Sequence, residues 1–252
     1  MQVILTFFGV ILGVVVAILL IAGFIYLKIK KSIGTANMKQ FVSMAKNAKS
    51  LQQEEYCRVK SISGMTGLLE GEIRRDVPEF NTNLLFSKTQ SNLTKIFNSI
   101  TNKSIDEIIN DEEFALVLPS IKKIIEEPTD ISFRNIDFHD FAIKKYNRGT
   151  GVATITVATN VGYYYSNTSN KQNEQYKNLK KETRYTCDFV YIYDESKFEN
   201  KQKSFTISCP NCGAPVNKIN AGECEYCSSS ITPINLKAWK MSAYKEDYKL
   251  SN

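Results

Sequence analysis

One stretch of this 252-residue chain cannot belong to a water-soluble core. From Val3 to Leu27 the only clearly polar side chain is Thr6. As a helix the run would be about 37 Å long at about 1.5 Å per residue. A bilayer's hydrocarbon layer is about 30 Å thick, so a run of this length predicts one tilted transmembrane helix that satisfies its own backbone hydrogen bonds. A cleaved signal peptide wants a basic start and a shorter apolar stretch. Here no Lys or Arg precedes the run, and it passes into Lys28, Lys30 and Lys31. With Lys39, Lys46 and Lys49 these precede the first acidic residue, Glu54. Positive charge stays on the cytoplasmic side, which predicts a single-pass cell-membrane protein with its N-terminus outside and its bulk in the cytoplasm. The net charge of +6 is concentrated near this anchor and speaks first of a membrane surface.

The six cysteines point to the same compartment. Cys209-Pro-Asn-Cys212 and Cys224-Glu-Tyr-Cys227 are two Cys-x-x-Cys pairs with eleven residues between them. Each pair lets two thiolates reach one ion, and two pairs complete a tetrahedral four-sulfur shell. A structural Zn2+ is expected, with iron the substitute. Gly213 allows the tight backbone such a site needs. A redox pair would be single, and a catalytic zinc keeps a position open for water, which four thiolates do not. Cys57 and Cys187 stand alone, and Cys187 reads as a small core residue.

Between anchor and ribbon the pattern predicts an α+β fold. Residues 1–31 are the anchor and its basic flank, and 32–60 a helical stalk. Met38, Phe41, Ala45 and Ala48 follow helical spacing there, and Lys28, Lys30 and Lys31 face anionic lipid. Ser61 to Gly67 breaks that helix. Asp76-Val-Pro-Glu-Phe80 is a turn, and Asn81 or Thr82 caps a helix with Leu85, Leu93, Ile96, Phe97 and Ile100 on one face. Ser104 to Glu107 has the form of a capping box. Glu112 to Ile125 is helical, restarting at Pro119. Phe133 to Phe138 and Phe141 to Tyr146 suggest two short strands. Val152 to Tyr165 is a long one. After a polar hairpin tip, Tyr185, Cys187, Phe189, Tyr191 and Tyr193 line one face of another. A last strand near Asn235 to Tyr244 carries Trp239, the chain's single tryptophan. The domain is thus 61–208 plus 233–248, a cone-like curved antiparallel sheet with covering helices. The zinc ribbon, 209–232, is inserted before its last strand, so metal loss is expected to loosen both.

The Gly64-Met-Thr66 segment, the Asp76-to-Phe80 turn, the Cys-Pro-Asn-Cys-Gly-Ala-Pro ribbon and the late Trp strand resemble bacterial relatives of the mitochondrial inner-membrane translocase subunit 44. They are closest in kind to the zinc-ribbon subgroup. The resemblance covers about residues 60 to 245 and implies a nuclear transport factor 2-like fold, with a role in protein transport or recruitment at the membrane.

These features favour a non-catalytic module that recruits a protein, peptide or lipid. The alternative is an enzyme or small-ligand binder that uses the cone pocket. Catalysis lacks a motif: the one histidine, His139, reads as a surface pair with Asp140, and Asp188 lies on the strand face opposite the apolar one. Nucleic-acid binding is disfavoured because Lys218 is the ribbon's single cation, against Glu223 and Glu225.

Overall fold

The computed structural model describes residues 15–16, 18–25, 27–28, 35–169, 176–193, 209, 211–215, 223–229 and 237–247. The chain divides into two compact units, 1–54 and 55–252. In the first, most of the Val3–Leu27 run lies outside the described residues. The described pieces between Val15 and Lys28 are helical, with exposed apolar side chains such as Leu20 (68% exposed). Among the described residues no helix is long and apolar enough to cross a membrane. Lys30 and Lys31 also lie outside them. Helix α1, Thr35–Cys57, follows, and the Met38 and Phe41 side chains expected on its apolar face fall outside the description.

The second unit is α+β. Helices α2 (Thr66–Asp76), α3 (Thr82–Asn102) and α4 (Leu118–Glu126) precede strands β1 (Ile131–Arg148), β2 (Val152–Asn167), β3 (Lys180–Ile192) and β4 (Lys240–Glu246). All neighbouring strands are antiparallel, in the order β1-β2-β3-β4. The four-cysteine segment falls between β3 and β4, as its place in the sequence requires.

The sequence explains α3 residue by residue. Asn81 accepts from the Leu84 N–H at 3.0 Å, supplying one of the orphan donors of the first turn. Leu85, Leu93, Ile96, Phe97 and Ile100 are all buried, on a single stripe. Phe97 sits at the centre of the core. Its ring stacks on Phe133 at 4.6 Å and meets Tyr185 and Tyr163 edge-on at 5.2 and 5.7 Å. The face of β3 predicted to be apolar is so: Tyr185, Cys187, Phe189 and Tyr191 are buried, and only Tyr193, beyond the strand, is exposed.

Two expectations are corrected. The two short strands before Gly149 are one continuous strand, β1, with register shifts between Arg134 and Asp137, Phe138 and Phe141, and Ile143 and Lys145. Each shift adds a residue and resets the inward face. The apolar residues Phe133, Ile136, Phe138, Phe141, Ile143 and Tyr146 follow that reset. Asn135, with φ of 50°, takes the left-handed conformation at the first bulge. The Ser104-to-Glu107 segment is not a helix start. Ser104 Oγ accepts from the N–H of Asp106 at 3.1 Å, closing a local turn before any capping-box geometry can form. The predicted break is present, with residues 61–65 non-helical, and an element the sequence reading did not include, helix α2, begins at its end. Its Ile73 and Leu69 are buried, and Glu70 pairs with Arg74 one turn on, at 2.8 Å.

The Gly64-Met-Thr66 segment docks on β1. The Met65 N–H donates to Ile143 O and Thr66 Oγ1 accepts from the Ile143 N–H, both at 2.9 Å. A Cβ on Gly64 would lie 2.4 Å from that of Ala142, so only glycine permits this approach.

Candidate metal centre and apolar pocket

The four cysteines form two equivalent backbone loops. In the first, the Cys209 N–H donates to Ala214 O at 2.8 Å and the Gly213 N–H to Cys209 O at 2.9 Å. In the second, the Cys224 N–H donates to Ser229 O and the Ser228 N–H to Cys224 O, both at 2.9 Å. Gly213 and Ser228 occupy matching positions, each one residue after the second cysteine, and both are left-handed, with φ of 73° and 54°. The loops face each other, and all four sulfurs lie within 4.8 Å of one another. Cys209 Sγ is 3.7 Å from Cys227 Sγ, and Cys212 Sγ is 3.7 Å from Cys224 Sγ.

That spacing decides the chemistry. Four sulfurs each about 2.3 Å from a central ion stand about 3.8 Å apart in a tetrahedron. A disulfide would need about 2.05 Å, and all six cysteines are free. The surroundings stabilise thiolate. Ser229 Oγ lies 3.0 Å from Cys227 Sγ and 3.3 Å from Cys209 Sγ, and the Asn211 N–H donates to Cys209 Sγ at 3.4 Å. The Ser229 hydroxyl and N–H bring the Cys227 thiol down to about 6. Cys212 has a hydrogen bond from Ala214 that favours thiolate, yet desolvation and the three neighbouring sulfurs push it up to about 12. Four thiolates at this separation repel unless a cation sits among them, so the donor set fits a metal ion and disfavours an empty, fully ionised cluster. Cys209, Cys212, Cys224 and Cys227 can therefore hold a metal ion, consistent with structural zinc.

The left-handed pair yields a test. Gly213→Ala should destabilise the metal-bound loop by about 1 kcal/mol, since a Cβ is strained there even though the space is open. Ser228→Gly should stabilise the other loop by a similar amount. Chelator competition reads both directions.

The remaining predicted residues lie elsewhere. Cys187 is fully buried in the core, and burial pushes its thiol well up, so it is an inert packing residue. Asp188 accepts from Thr156 Oγ1 at 2.7 Å on the non-core face. His139 corrects its expected pairing. Its Nε2 lies 2.9 Å from Glu182 Oε2 on β3, with β2 between them. The crossing happens at Gly162, which pairs with both Asp137 and Glu182; a Cβ there would come within 2.5 Å of Glu182 Oε1. A missing side chain on the middle strand makes room for a contact that adjacent residues in sequence do not reveal.

Sequence reasoning did not locate one further feature. A half-open pocket of about 210 Å³ lies between the Val77–Asn81 turn, the first turns of α3, Tyr191 at the end of β3, and Lys237, Ala238 and Trp239 at the entry to β4. Trp239 packs against Tyr191 at 5.3 Å and edge-on to Phe80 at 6.0 Å. Lys88 Nζ holds the Trp239 carbonyl at 2.9 Å and Glu113 Oε2 at 2.8 Å. Lys240 Nζ reaches Glu112 and Glu113 at 3.1 and 2.8 Å. These ion pairs tie β4 to the segment before α4. The sequence signal was the Pro78–Phe80 turn and the late tryptophan, which are far apart in the chain and meet only in the fold.

No family model, curated protein or solved structure matches this chain.

Proposed function

We propose that the chain is a membrane-held, non-catalytic binding module whose four-cysteine ribbon is closed by a structural zinc. The observation that carries this reading is the sulfur cluster. Four thiol donors within 4.8 Å of one another leave no ligand position for a reacting water. Zinc in such a shell serves the fold.

The anchoring reading is supported by the Val3–Leu27 run and its lysine border at Lys28, Lys30 and Lys31. Those lysines suit an anionic lipid surface, and the cytoplasmic side suits reduced thiols. The ordering of anchor, Gly64-Met-Thr66, Asp76-to-Phe80 turn, ribbon and Trp strand supports kinship with bacterial relatives of translocase subunit 44, and a cone-like sheet for the second unit. Recruitment of a protein, peptide or lipid by that unit follows from this reading. The enzymatic alternative draws on His139 beside Glu182, but that pair is a contact across the sheet through the gap at Gly162, and it reads as structural.

Two measurements test the proposal. Alkaline carbonate extraction should leave the full chain in the membrane pellet; its release into the supernatant would refute anchoring. Crosslinking in intact membranes should capture partners with the full chain that a copy ending at residue 54, before the second compact unit, does not capture. Identical captures from both would refute recruitment by the second unit.

A further inference from the structure

The two halves of the four-cysteine ribbon match in backbone but not in side chain. Ala214 O and Ser229 O take the same place, each accepting from the N–H of the first cysteine of its loop. The backbone donors to sulfur match as well. The Asn211 N–H reaches Cys209 Sγ at 3.4 Å as the Tyr226 N–H reaches Cys224 Sγ at 3.5 Å, and Ala214 serves Cys212 as the Ser229 N–H serves Cys227.

The side chains break this symmetry. The Ser229 hydroxyl lies 3.0 Å from Cys227 Sγ and 3.3 Å from Cys209 Sγ, and Asn211 Nδ2 donates to Cys227 Sγ at 3.6 Å. Ala214, at the position matching Ser229, offers no hydroxyl to the other edge. Among the described residues the side-chain donors therefore sit on the Cys209–Cys227 edge of the cluster. Exposure is unequal too: Cys209 and Cys224 are buried, Cys227 is half-buried and Cys212 is exposed.

A metal-held cysteine is a thiolate, and the thiolate is the nucleophile. A hydrogen bond to sulfur draws off the electron density that would attack. Cys212 combines exposure with the absence of a side-chain donor, and Cys224 Sγ lies 3.7 Å from it, within reach to resolve an oxidised sulfur.

We infer that Cys212 and Cys224 are a site of oxidative modification, in which a hydroperoxide converts them to a disulfide and opens the metal shell. The Cys212 thiolate attacks one peroxide oxygen. An S–O bond forms, the O–O bond breaks, and hydroxide leaves a sulfenic acid behind. The Cys224 thiolate then attacks the Cys212 sulfur. The S–S bond forms, the S–O bond breaks and a second hydroxide leaves. The two sulfurs together lose two electrons, the peroxide gains two, and solvent protons turn both hydroxides into water. The Ser229 side of the cluster keeps its thiolates.

Hydrogen peroxide added to the purified full chain tests this, with a chromogenic chelator reading zinc release and mass spectrometry of the alkylated chain reading the first disulfide. Release should accompany a Cys212–Cys224 disulfide. Ala214→Ser gives the bare edge the hydroxyl that Ser229 gives the other, and should slow release about tenfold, as an outer-shell partner can. Ser229→Ala strips the protected edge and should add a Cys209–Cys227 disulfide. A first disulfide at Cys209–Cys227 or within one Cys-x-x-Cys pair of the parent would overturn the inference. So would release at the parent's rate in Ala214→Ser, or zinc and thiols that survive peroxide sufficient to oxidise free cysteine. The inference rests on the reading of the cluster as a zinc shell, which metal analysis before peroxide tests alone. A chain that carries zinc and keeps its thiols fails only here, and in a chain without zinc the disulfide map still decides the site.

Discussion

Cys224→Ser should empty the metal site, taking the zinc content from one ion per chain to none. The basis is the shared shell: Cys224 Sγ sits 3.7 Å from Cys212 Sγ, and a hydroxyl in its place is a poor zinc ligand. The apparent binding free energy of a structural zinc, about 10–16 kcal/mol near neutral pH, is then lost from a ribbon that has little core of its own. Elemental analysis of the purified chain reads the first effect. Hydrogen exchange of the Cys209 and Cys224 amides, protected in the parent by their loop carbonyls, reads the second.

The same substitution should affect the sheet much less. A metal held by the four cysteines would shorten the loop between Ile192 and Lys240, but halving a loop is worth only about 0.6 kcal/mol. Strand β4 is also held on its own account. Met241 is fully buried and Lys240 is ion-paired to Glu112 and Glu113. The expectation that metal loss loosens ribbon and sheet together therefore becomes quantitative: the ribbon unfolds, and the midpoint for the second unit falls by a few degrees at most.

Phe97→Ala is the second large effect. Phe97 is 1% exposed and its ring touches three others, from β1, β2 and β3. Deleting a buried phenyl ring costs about 3–5 kcal/mol in transfer and cavity terms. Domains of this kind have about 5–15 kcal/mol in total, so the variant should keep its secondary structure yet unfold at far lower urea. An unchanged urea midpoint would mean that α3 does not pack on this sheet as described.

How much of this was legible in the sequence depended on how far apart the interacting residues were. Helix α3 was legible because its cap, Asn81, and its apolar stripe are local. Strand β2 was legible from its run of Val, Ile, Thr and Tyr, and β3 because period-two patterning needs no partner to be seen. Strand β1 read as two fragments because its apolar residues are spaced alternately three and two apart. Each gap of three marks a bulge, and that spacing is itself a sequence signature, recognisable once bulges are allowed for. The Ser104 segment had the right letters for a helix start, but its hydroxyl closes a shorter turn to Asp106. Helix α2 went unread because Gly67 and Gly71 interrupt a short segment whose buried side consists only of Leu69 and Ile73.

The four-cysteine cluster was fully legible, because two Cys-x-x-Cys pairs encode its geometry within short loops. The His139–Glu182 contact and the Trp239 pocket were not. Each joins residues from non-adjacent elements, and each depends on a structural detail: the missing side chain of Gly162, and the approach of the Phe80 turn to the entry of β4.

Four cysteines that form a closed, structural shell leave a distinctive coordination signature. X-ray absorption at the zinc edge, on the full chain purified without added chelator, tests it most directly. The prediction is four sulfur neighbours at about 2.3 Å and no oxygen or nitrogen in the shell. Three or fewer sulfurs with a lighter atom at about 2.0 Å would show an open coordination position and contradict a purely structural metal.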